Sequence, residues 1–149
     1  MMGSSLLTRE ELLAIASAEP FENELLDFKC EFAPEKKAAF WAETVKDIVS
    51  FANSHGGAIV FGLNDDGSIS ANDCSSLLRL DTAALADQVR KYTDATLHGL
   101  YVCEVERCGI AFPAVIVEAI SVPLVFTKVG TYEVEHGKGN PPISNGVQS

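Results

Sequence analysis

The stretch VKDIVSFANSHGGAIVFGLNDDG, Val45 to Gly67, decides how this chain folds. Just upstream and within it, Trp41, Val45, Ile48 and Ala52 recur at i, i+4, i+7 and i+11, which is one face of a helix, and Phe40, Val49 and Phe51 widen that face enough to bury it. The helix has to stop at Gly56-Gly57, because glycine enters the left-handed conformation that closes a helix without a Cβ clash. Ala58 to Leu63 follow as a short apolar run bounded by turn residues, the pattern of a strand covered on both faces. Asp66-Gly67 ends it, a pair suited to the positive φ angles of a hairpin turn. Helix, double glycine, strand and turn specify a scaffold, and by themselves no activity.

Toward the N-terminus, Thr8 and Glu11 are spaced as a capping box and Leu7 and Leu12 as a hydrophobic staple, so a helix starts after Thr8 and ends before Pro20. Leu26, Phe28, Cys30 and Phe32 alternate with Asp27, Lys29 and Glu31, a period of two that predicts a strand with the polar triplet on a solvated face. Strand, helix and strand in that order give two parallel neighbours joined by a right-handed crossover.

Toward the C-terminus, Ser68 to Ala71 returns antiparallel, and a third helix starts at Asp81 with Leu80 and Leu85 as its staple. Tyr101–Glu106 and Phe112–Ile120 flank Arg107-Cys108-Gly109 as a hairpin, and Leu124 to Phe126 form a further short strand. The expected fold class is α+β, a mixed sheet with helices packed on it in a single domain over residues 1–136. Residues 137–149, GKGNPPISNGVQS, have the composition of a linker, which suggests the N-terminal piece of a longer protein.

Composition narrows the function. The 149 residues carry 11 basic and 21 acidic side chains, a net charge of -10, with most of the acidity before residue 75. Phosphate backbones are held mainly by lysine and arginine displacing counterions, so nucleic acid as a partner is disfavoured by this balance unless a local basic patch exists. Lys29, Lys36, Lys37 and Lys46 are the candidates for such a patch, with an acid-interspersed solvated helix face as the competing reading. Asn53, an amide at the helix end, either meets a base, a phosphate or a neighbouring carbonyl, or is a buried amide that ties the helix end to the sheet.

Several chemistries are excluded or unsupported. No phosphate-binding loop is present, since Gly137-Lys138-Gly139 lacks both the upstream glycine spacing and a following Ser or Thr. The scattered His55, His98 and His136 define no site, and His55 reads as a helix-end cap. Cys30, Cys74, Cys103 and Cys108 show neither zinc nor disulfide spacing, and Cys30 and Cys103 fall at apolar strand positions expected to be buried. With no membrane-length apolar run and no secretion-signal pattern, the expected location is cytoplasmic, without membrane contact.

One resemblance goes further. Glu22, Leu26-Asp27-Phe28-Lys29, Ser50-Phe51-Ala52-Asn53-Ser54-His55-Gly56-Gly57 and Phe61-Gly62-Leu63-Asn64-Asp65-Asp66-Gly67 resemble the Schlafen-type AlbA-like domain. In that family a "LEFK"-like strand leads to a helix ending "FAN(S/T)xGG" and a strand ending "GVxDxG". The match covers residues 22 to 67 well and the rest loosely. The resemblance implies a DNA-binding or nucleic-acid-binding module with a role in transcriptional regulation, without intrinsic catalysis and with no cofactor. It also implies an alternative, because some relatives cut RNA with acids that carry over to Glu22, Asp27 and Asp65. These three would be both catalytic and metal-ligating, with Mg or Mn activating water. Position 64 is Asn where relatives often have an acid, and Glu135 in Tyr132–Gly137 stands where a "YxVRxG" arginine would. A second alternative is a protein-interaction or homodimerisation module that has lost its nucleic-acid contacts.

Overall fold

Residues 6–36 and 38–127 are described by the structure, a computed structural model. Lys37, the Tyr132–Gly137 motif and the 137–149 tail lie outside the described residues. Helix α1 (Arg9–Ala18) starts as its sequence requires: Thr8 accepts from the Glu11 amide at 3.1 Å and the Glu11 carboxylate accepts from the Thr8 amide at 2.8 Å. Strand β1 (Leu26–Lys29) follows, then α2 (Ala38–Ala52), β2 (Gly57–Phe61), α3 (Thr82–Thr93), β3 (Leu100–Arg107) and β4 (Ile110–Val117), with 3-10 turns at Pro34–Lys36 and Ser75–Arg79.

The four strands lie in the order β1-β2-β4-β3, with β1 and β2 parallel and the β2–β4 and β3–β4 pairs antiparallel. This is the expected mixed sheet of an α+β domain. Alternation along the strands sorts side chains between two cores. Leu26, Phe28, Ala58, Val60, Ala114 and Ile116 pack with Leu12 and Ala16 of α1, whereas Ile59, Phe61, Val115 and Val117 pack with α2 and α3. Two cations bind α1 to its face: Arg9 lies over the Tyr101 ring, and Arg107 lies over Phe28 while donating to the Ala16 carbonyl at 2.7 Å.

The helix-to-strand handover runs through Gly56 and Gly57. Gly56 has φ +86° and donates to the Phe51 carbonyl, closing α2, and a Cβ there would stand 2.8 Å from the Val117 carbonyl oxygen. At Gly57 a Cβ would run into the Phe51 ring. On the buried face of α2, Val45, Ile48 and Ala52 are fully enclosed, while Trp41 is only half-buried, edge-on to Phe32 and Phe40.

Several expectations need correction. β1 ends at Lys29 and does not run to Phe32: the Cys30 carbonyl is taken by the Ser70 hydroxyl and the Asn72 amide, and Phe32 turns to meet the rings of Phe40, Trp41 and Phe61. Cys30 is therefore exposed, Cys103 is half-buried, and Cys74 is the fully buried thiol. Ser68–Ala71 contributes one antiparallel bridge, Leu63 to Ile69, in place of a strand. Of the Asp66-Gly67 pair only Gly67 has positive φ, whereas the β3–β4 turn puts both Cys108 and Gly109 there. Leu124–Phe126 forms no strand, because Asn53 holds the Leu124 backbone through both its amide and its carbonyl. Among the described residues no helix is long and apolar enough to cross a membrane.

Candidate functional site at the edge of the sheet

Ahead of β1 the chain makes a tight turn in which Asn23 and Leu26 exchange backbone hydrogen bonds and the Asn23 side chain accepts from the Leu25 amide at 2.8 Å. The turn throws Glu22 back along the outside of β1, where its Oε2 accepts from the Phe28 amide at 2.7 Å. Both outward amides of this strand, Leu26 and Phe28, are thereby satisfied. The same turn carries the Glu22 carboxylate beside Asp27. Glu22 and Asp27 thus meet although their odd spacing would set them on opposite faces of a continuous strand.

Asp27 and Lys29 project to the α2 side of the sheet, and this is not the solvated face their polarity suggests. Lys29 Nζ lies 2.6 Å from Asp47 Oδ2 on α2 and 3.2 Å from Asp27 Oδ2, with side-chain exposures of 17% for Lys29, 31% for Asp27 and 27% for Asp47. The Asp27 oxygen is within Coulombic reach of the ammonium but out of line for a hydrogen bond, and it is buried with no donor. Burial chiefly, then the Glu22 carboxyl, pushes the Asp27 pKa above its usual range, against the pull of Lys29. For Lys29, burial acts to lower the pKa, but the hydrogen bond and charge of Asp47, reinforced by Asp27, raise it. Glu22, Asn23, Leu26, Asp27, Asp47, Ser50 and Phe51 line an open cleft of about 340 Å³ beside these groups.

The candidate residues are dispersed over this frame. Lys29 is enclosed in the ion-pair cluster, Lys36 is exposed and paired with Glu31 at 2.7 Å, and Lys46 is exposed on α2 with no ion pair among the described residues. Asn53 faces the Leu124 backbone with both ends of its amide. Asp65 is exposed in the turn after β2 and takes no part in lining the cleft. Glu22 and Asp27 are brought together, then, and Asp65 is not. Among the described residues no three His, Cys, Asp or Glu side chains are grouped to hold a metal ion.

Asp47 is the residue that sequence reading missed. Its helical neighbours at i−3 and i+4, Thr44 and Phe51, are both buried, so Asp47 looks toward the sheet. An acid on the flank of a buried stripe, opposite a strand lysine, was the available signal.

A four-stranded mixed sheet with a crossover helix closed by two glycines, and an acidic turn folded onto its edge strand, define an AlbA-like α+β domain. The chain belongs to the Schlafen, AlbA_2 family, whose model matches residues 22–145. No curated protein matches it. Among solved structures it is similar to the DIP2311 protein from Corynebacterium diphtheriae, at 20% identity and a TM-score of 0.47, over 80% of this chain and 23% of that one. The chain thus spans about a quarter of the length of that protein.

Proposed function

We propose that this domain is a non-catalytic regulatory module of a nucleic-acid-related family that makes its contacts with protein in preference to nucleic-acid phosphates. The observation behind this reading is the enclosure of Lys29: its ammonium sits between Asp27 and Asp47, so this candidate cation is neutralised inside the fold. Lys36 is likewise paired, and the net charge of -10 repels a polyanion. The experiment is a titration of fluorescein-labelled single- and double-stranded DNA and RNA at low salt. Binding should be absent or weak, and tight binding that falls steeply with salt would overturn the reading.

One observation favours the nuclease alternative: Glu22 and Asp27 line the same open acidic cleft side by side. Under that reading RNA cleavage requires Mn or Mg and is abolished in Glu22→Gln. Absent cleavage, or cleavage that persists in the variant, rejects it.

A further inference from the structure

The two edges of the sheet are finished differently. Along β1 every outward amide is capped, by the Asn23 carbonyl and the Glu22 carboxylate. On β3 the Glu118 amide donates to the Gly99 carbonyl at 2.7 Å, which fixes the phase of the β3–β4 ladder so that odd-numbered residues of β3 bond to β4. The amides of Val102, Glu104 and Glu106 therefore point away from the sheet. That of Val102 reaches the Thr82 hydroxyl at 3.4 Å, and those of Glu104 and Glu106 have no acceptor among the described residues. Such an edge is a template for one more strand.

Chemistry around the edge selects what can pair with it. Glu104 and Glu106 are exposed and share the sheet face that carries Leu100 and Val102. Beside Glu104 opens a groove of about 190 Å³ whose lining includes Ile69, Leu78, Ala111, Pro113 and Asp73. Ile69 and Leu78 are both exposed large apolar side chains, 58% and 40% accessible. Asp73 has Arg79 as a nearby cation, while Glu104 and Glu106 have no ion pair among the described residues. A second copy of this edge would bring the same carboxylates against them, and an acidic segment would be repelled in the same way.

We propose that the outer edge of β3 takes an extended, basic segment of a partner protein as an added strand, with an aliphatic side chain against Leu78 and cations facing Glu104 and Glu106. This rests on the reading of the domain as a protein-contact module and names the chemistry of the partner. Backbone hydrogen bonds supply pairing, alternation places every second side chain on the face shared by Glu104 and Leu78, and the carboxylates select charge.

The test uses the full chain and a fluorescein-labelled hexapeptide alternating valine with lysine or arginine, read by anisotropy. Three comparators accompany it: the same peptide with glutamate for its basic residues, the basic peptide N-methylated at alternate amides, and a single-stranded oligonucleotide. The basic peptide should bind saturably, the acidic and N-methylated peptides should not, and E104K/E106K should weaken binding by about tenfold or more with the circular dichroism of the chain unchanged. Leu78→Ser should also weaken it. No binding of the basic peptide, or binding indifferent to N-methylation and to E104K/E106K, overturns the assignment, as does a concentration-dependent dimer abolished by the same double variant. Salt-sensitive binding of the oligonucleotide overturns the protein-contact reading itself, whereas failure of both probes removes only the assignment of the β3 edge.

Discussion

Lys29 is where charge, burial and fold meet. Its ammonium joins the edge strand to α2 through Asp47 while offsetting Asp27, so removing it leaves two half-buried carboxylates facing each other. Lys29→Met should lower stability by about 2 kcal/mol in urea unfolding, below the usual cost of breaking a fully buried pair because the cluster is partly solvated. A loss under about 0.5 kcal/mol would show the cluster to be incidental. Asp27 gives a pH signature. Burial first and the Glu22 carboxyl second hold its pKa above the ordinary 3.8. Its contribution to stability is therefore complete below 3.8 and is lost as pH rises through the folded value. Asp27→Asn, uncharged throughout, should gain on the wild type across that window when melting temperatures are compared, and a gap that shrinks with rising pH would contradict the assignment. Sequence alone shows Asp27, Lys29 and Glu22 but not their relation, which depends on the turn at Asn23 and on Asp47 arriving from another element. A polar triplet on a strand reads as solvated until the helix that covers it is known.

At the level of elements, the handover from α2 to β2 was legible because it rests on local stereochemistry. Gly56 needs positive φ and a bare Cα near the Val117 carbonyl, and Gly57 must clear the Phe51 ring. Gly56→Ala and Gly57→Ala should each destabilise by about 2 kcal/mol in denaturant melts, the first through backbone strain and the second through overpacking. A neutral result at either position would mean that the closure of α2 has been misread. The caps at Thr8 and Asp81 and the β3–β4 hairpin were readable for the same reason. What escaped was decided by partners distant in sequence. β1 stops at Lys29, whose carbonyl takes the Gly62 amide where β2 leaves extended geometry at φ +104°, and Leu124 is fixed by Asn53 and joins no sheet. Pro113 shows the reverse case, a proline in a central strand that only the register explains. It follows the last β2–β4 pair, Val60 with Ala114, at the point where an amide would next be needed, and there its missing N–H ends the ladder.

For the whole molecule, strand order determines which surfaces are open. Placing β2 and β4 at the centre leaves β1 and β3 as edges, the first sealed by Glu22 and Asn23 and the second open beside an acidic, apolar-lined groove. Family membership and fold class could be read from residues 22–67, whereas the neutralisation of Lys29 and the asymmetry of the edges could not, since both depend on contacts between elements. The most direct measurement of the central claim is the titration of the Lys29 ammonium by heteronuclear NMR, alone and with a saturating excess of single-stranded oligonucleotide. Enclosure between Asp47 and Asp27 predicts a pKa above the ordinary 10.5 and a resonance that added oligonucleotide leaves in place. A pKa at or below 10.5, or a Lys29 resonance that shifts on titration with the oligonucleotide, would contradict it.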